Sequence, residues 1–121
     1  LTVRAIIDQG ALTRQVGGPD VMRAQLARLL EVATLQSVTV QVIPFAAGAH
    51  AGMRGAFTAL RFPETAMDTI YLEAYRTAAY AEAPAEVAFY IDTFENLAAT
   101  ALNPDETARL IRSTISGNEC E

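Results

Sequence analysis

The chain has 121 residues, just over half of them hydrophobic, with a formal net charge of −5 and a pI near 4.8. That is enough apolar material for one domain to fill a core without metals or disulfides. Its nine basic residues are all arginine and lie scattered from Arg4 to Arg112, which excludes the basic stripe that neutralises phosphates, so no nucleic acid is expected to bind this domain alone.

Val3, Ala5 and Ile7 alternate with Thr2, Arg4 and Asp8, the period of a strand, and Ile6 breaks the alternation. Residues 9–14 read as a short connector with one helical turn. Val16-Gly17-Gly18-Pro19-Asp20 then feeds a helix, with Pro19 at its first position and Asp20 in its electropositive first turn. Met22, Leu26, Leu29, Leu30 and Ala33 form the apolar stripe of an amphipathic helix over 19–35.

Val38, Val40 and Val42 alternate with Thr39 and Gln41 in a half-buried strand that Pro44 closes. Residues 45–55 hold Gly48, Gly52 and Gly55 among small residues with no usable period, and read as a loop. A third strand is expected over 56–62, with Phe57 on one face and Leu60 and Phe62 on the other. A turn over 63–68 leads to a fourth, Thr69-Ile70-Tyr71-Leu72-Glu73, with Ile70 and Leu72 inward, and the short turn makes strands three and four an antiparallel hairpin.

The last third is helical. Pro84 sits where a helix starts, and Val87, Tyr90, Ile91, Phe94, Leu97 and Ala101 share one stripe. Asn103-Pro104-Asp105-Glu106 is a start signal with an Asn cap, Pro at the first position and Glu at the third. Thr107, Leu110, Ile111, Thr114 and Ile115 make the inner face of the final helix. The expected fold is α+β: a mixed four-stranded sheet covered by about three helices, two of them C-terminal, in a single domain over 1–115 with a polar tail over 116–121.

Chemistry-bearing residues are few. The glycines of 48–55 let backbone N–H groups approach a ligand, and His50 and Arg54 are suited to an anion. The stretch lacks the terminal Gly-Lys-Ser/Thr of a phosphate-binding loop and the G-x-G-x-x-G order of a dinucleotide fingerprint. The plainer reading is a connector that lets the chain turn between strands. His50 is the only histidine, Cys120 lies in the tail, and no metal site or cofactor is implied. No Gly-x-Ser-x-Gly turn marks a nucleophile.

Tyr71, Glu73, Tyr75 and Tyr80 gather around the end of the fourth strand, and alternation puts Tyr71 and Glu73 on one face. Beside the glycine loop they would line a small-molecule pocket; the plainer alternative is the wet face of an antiparallel sheet. The candidate ligand-binding set is therefore Gly48, His50, Arg54, Phe57, Tyr71 and Glu73, with no catalytic residue among them. Phe89 falls off the stripe of Val87, Ile91 and Phe94. It either faces outward or packs under the connector between Tyr75 and Tyr80. No apolar run approaches the roughly 20 residues of a membrane span, so no membrane is expected. The lone cysteine and the strand-like start at Leu1, with no signal peptide, fit a reducing cytoplasm.

Val16-Gly17-Gly18-Pro19-Asp20-Val21-Met22-Arg23-Ala24-Gln25-Leu26, the run Val38 to Phe45, Gly48-Ala49-His50 and the run Phe57 to Pro63 carry a resemblance. So do Tyr71-Leu72-Glu73 and Asn103-Pro104-Asp105-Glu106. Together they resemble the C-terminal domain of unknown function of actinobacterial helix-turn-helix (Cro/repressor-type) regulators described as antitoxin-like. The resemblance covers the chain to about Arg112. It implies a cytoplasmic regulator whose DNA-binding half is not in this sequence, and it carries over no catalytic residue. This half would sense a small-molecule effector, pair subunits or hold a protein partner. A small-molecule binder or an enzyme of unknown class using His50, Arg54 and Glu73 is the alternative.

Overall fold

The computed structural model describes residues 1–63, 68–73 and 78–119. Among them, strands and helices run in the order β1 (Val3–Asp8), α1 (Gly10–Thr13), α2 (Pro19–Ala33), β2 (Val38–Ile43), β3 (Phe57–Leu60), β4 (Thr69–Glu73), β5 (Ala78–Ala81), α3 (Pro84–Thr100) and α4 (Pro104–Glu119). Two 3-10 turns, Phe45–Ala47 and Ala51–Arg54, fill the glycine-rich stretch. The fold is α+β with two helices at its C-terminal end, as the sequence implied. The chain divides into two compact units, Leu1–Gly48 with Thr100–Glu121, and Ala49–Ala99.

In the first unit β1 and β2 are parallel, in register from Val3 opposite Val38 to Asp8 opposite Ile43, and α2 makes the crossover that parallel strands require. The α2 stripe reads as expected: Met22 and Leu26 are buried, and Leu29 and Leu30 are half-buried. Leu26 meets Leu12, Val42 and Ile111 in the core, with Ile7, Leu110 and Ile115 packed around them. Truncating Leu26 to alanine would cost roughly 2–5 kcal/mol by lost burial and the cavity left behind.

The α4 start is a complete capping box. The Glu106 N–H donates to Asn103 Oδ1 at 2.8 Å, and the Asn103 N–H donates to Glu106 Oε1 at 3.1 Å. Pro104 has no N–H, so the box satisfies two of the three orphan donors at this helix start, Asn103 and Glu106.

The second unit is an antiparallel sheet in the order β3-β4-β5 with α3 against one face. The expected hairpin is there, with Phe57 opposite Leu72 and Leu60 opposite Thr69. Phe57, Ala59, Ile70, Leu72 and Ala81 pack with Val87, Tyr90 and Ile91 of α3. The opposite face carries Tyr71 and Tyr80, which are cross-strand partners with ring centroids 5.3 Å apart.

The strands thus fall into two sheets and number five among the described residues, where the sequence reading put four in one sheet. Two local causes account for this. The Val42 N–H and C=O turn away from β1, and both are taken by the stretch leading into α4. Leu102 N–H donates to the Val42 carbonyl at 2.9 Å, and Val42 N–H donates to Thr107 Oγ1 at 3.0 Å. The Gln41 side-chain amide adds a bond to the Leu102 carbonyl at 3.2 Å. At Val42, therefore, β2 has no backbone groups left for a further strand. The fifth strand, β5, is Ala-Ala-Tyr-Ala, a composition that favours helix over sheet, and it is held as a strand by pairing with β4.

Candidate functional site

The second unit contains a half-open cleft of about 640 Å³, within the size range of small-molecule sites. One stretch of chain, from Ala49 to Ala56, contributes the loop part of the lining. The 3-10 turn Ala51–Arg54 starts from His50 in extended conformation and closes with the Met53 N–H donating to the His50 carbonyl at 3.1 Å. His50 and Arg54 therefore flank a single tight turn, and both line the cleft. The His50 ring lies on the backbone of Gly52. A Cβ at that position would stand 3.0 Å from His50 Nδ1 and 3.1 Å from Cε1, so this glycine is what lets the ring approach.

The rest is sheet and helix. Phe57 and Leu72, cross-strand partners, present one apolar edge. Tyr90 of α3 packs its ring on Phe57 with centroids 5.2 Å apart, and Phe89 meets Tyr90 edge-on at 5.3 Å. Thr93 continues the same helix face, its hydroxyl donating to the Phe89 carbonyl at 2.8 Å. Glu73, the last residue of β4, completes the lining. The result is an aromatic wall, Phe57–Tyr90–Phe89, with one cationic and one anionic residue, Arg54 and Glu73, in the same lining. Such a wall accepts a flat apolar body by offset or edge-on contacts, and Arg54 and Glu73 offer charge-assisted hydrogen bonds.

Of the six residues singled out from sequence, His50, Arg54, Phe57 and Glu73 line this cleft. Gly48 does not. It belongs to the first unit, where its φ of 75° and its N–H bond to the Phe45 carbonyl end the turn Phe45–Ala47. Tyr71 is on the sheet face with Tyr80 and is not in the lining. Tyr75 and Cys120 lie outside the described residues. Sequence reasoning left out Leu72, Phe89, Tyr90 and Thr93. The signal was available in part, because Phe89 and Thr93 lie four residues apart, at helical spacing, beside the α3 stripe that carries Tyr90.

Among the described residues no group of three or more His, Cys, Asp and Glu side chains is placed to hold a metal ion. No described helix is long and apolar enough to cross a membrane. The chain belongs to the family described as domain of unknown function DUF5753, whose model matches residues 1–113. No curated protein and no solved structure is similar to it.

Proposed function

We propose that this chain is the regulatory domain of a helix-turn-helix transcriptional regulator of the antitoxin-like kind, acting in the cytoplasm, and that the cleft of the second unit is its effector-sensing site. The observation that carries the reading is the lining itself: an aromatic wall of Phe57, Tyr90 and Phe89 beside His50, Arg54 and Glu73. The acidic charge and scattered arginines support a division of labour in which another segment touches DNA. Residues 1–115 would act together as one effector domain. Binding in the cleft would then change how paired DNA-binding units are presented to their half-sites.

Ligand-observed NMR against a fragment set of small aromatic acids, amines and neutral amides tests this reading. Hits are expected on the wild type and are lost on Phe89→Ala, a 62% exposed position whose truncation leaves the core intact. A set without a single hit, or hits indifferent to Phe89, would remove the cleft as a sensing site.

A second reading, self-association, rests on the other sheet face, where Tyr80 is 66% and Leu60 42% exposed. Paired half-sites call for paired subunits, and exposed aromatics are common at such contacts. Sedimentation of the wild type and Tyr80→Ser over a concentration series decides it: a dimer weakened by the substitution supports pairing there, and a strict monomer refutes it.

A further inference from the structure

The cleft is lined by two residues of opposite charge that no described residue neutralises. Arg54 and Glu73 both line it, one at the end of a 3-10 turn and the other at the end of β4, and both side chains are exposed. Neither makes an ion pair with the other or with any described residue. Three other arginines make ion pairs: Arg28 with Glu31, Arg61 with Asp68, and Arg23 with Asp20. The same lining includes the aromatic wall, which offers a hydrophobic seat and no further charge.

We infer that the ligand of this cleft is a small ampholyte: an aromatic or bulky apolar body carrying both a free carboxylate and a free ammonium, as an amino acid or a close derivative does. The inference rests on the sensing reading above and narrows its ligand class. The carboxylate meets the Arg54 guanidinium, whose planar fork of donors matches a carboxylate's two oxygens. The ammonium meets Glu73, and the ring of the ligand lies against Phe57, Tyr90 and Phe89, whose negative π-faces also favour a nearby cation. A purely anionic ligand would leave Glu73 repelling it from the same hollow, and a purely cationic one would face Arg54. Only a ligand with both charges satisfies both sides, so the lining discriminates by repulsion as well as by attraction.

Calorimetric titration of the whole chain tests this with two ampholytes of different charge spacing, L-phenylalanine and 4-(aminomethyl)benzoate. The half-molecules of the first, 3-phenylpropanoate and phenethylamine, are run alongside, on the wild type, Arg54→Gln and Glu73→Gln. Thermal melts confirm that the two variants fold, as exposed substitutions should. The expected result is that at least one ampholyte binds roughly tenfold or more tightly than either half-molecule, the loss of one charge-assisted contact. Each variant should remove that advantage, with Arg54→Gln levelling phenylalanine with phenethylamine and Glu73→Gln levelling it with 3-phenylpropanoate. A half-molecule that binds as tightly as the ampholytes overturns the inference. If it loses affinity on Phe89→Ala, the cleft still senses a ligand, of another class. If neither these four compounds nor the fragment set binds, the inference and the sensing reading fall together.

Discussion

Thr107 Oγ1 accepts the backbone N–H of Val42 at 3.0 Å, across 65 residues of sequence, and both residues are fully buried. This one hydroxyl joins the start of the last helix to the edge of the parallel strand pair. The same hydroxyl reaches the Leu102 carbonyl at 3.5 Å, so it accepts from the strand and donates to the connector. A buried N–H without an acceptor costs more than an ordinary hydrogen bond gains, which gives Thr107 weight beyond its size.

Thr107→Val keeps the shape and removes the acceptor. It should destabilise the chain by roughly 1–3 kcal/mol, the cost of an orphaned buried donor. Thr107→Ser keeps the acceptor and loses a methyl, costing about 0.8 kcal/mol. Urea melts of the three forms check the order. Equal midpoints for Val and wild type would mean that the Val42 N–H finds another acceptor.

The capping box at Asn103 makes a second stability prediction. Asn103→Ala should cost about 1 kcal/mol, because the Glu106 N–H loses its acceptor at the helix start. Glu106→Ala removes the reciprocal bond to the Asn103 N–H and should also destabilise, by up to about 1 kcal/mol. Combining the two should cost less than their sum if the box acts as a unit. The same denaturant melts read all three, and an unshifted midpoint for Asn103→Ala would show that the cap does not hold the helix.

Gly52→Ala tests the placement of His50. The added Cβ would meet the ring at 3.0 Å and Leu97 Cδ1 at 3.6 Å, so the imidazole must turn off the backbone. Stability should change by less than about 1 kcal/mol, since the reduced freedom of the unfolded chain offsets part of the crowding. The imidazole NMR signals of His50 should move while the melting midpoint stays close to wild type. Unmoved imidazole signals would place the ring elsewhere.

Much of the fold was legible because its helices bury one face. The stripes of α2, α3 and α4 repeat at helical spacing, and Asn103-Pro104-Asp105-Glu106 announces its helix start in four residues. Thr69–Glu73 alternates cleanly and is β4 at the bounds the pattern gave. Two features depended on pairing partners rather than on any pattern of their own. Ala78–Ala81 has no strand pattern of its own and becomes one only beside β4. The edge of β2 is closed by a side-chain hydroxyl and a connector, which no local pattern announces. The cleft was half legible. The small-residue loop pointed to His50 and Arg54, and the hairpin to Phe57 and Glu73. Alternation says which residues share a sheet face but not which face a helix will cover, so Tyr71 was grouped with the cleft while its ring packs on Tyr80. Phe89 and Thr93 were missed because they sit beside the α3 stripe rather than on it.

The most direct test of the central claim, that the second unit's cleft receives a small ligand, is an amide chemical-shift map of the whole chain as L-phenylalanine or an aromatic fragment hit is titrated in. The cleft account predicts perturbations concentrated at His50 to Phe57, at Leu72 and Glu73, and from Phe89 to Thr93, the segments that line the hollow. Shifts concentrated instead at Thr58, Leu60, Tyr71 and Tyr80, on the opposite sheet face, or spread evenly along the chain, would contradict it.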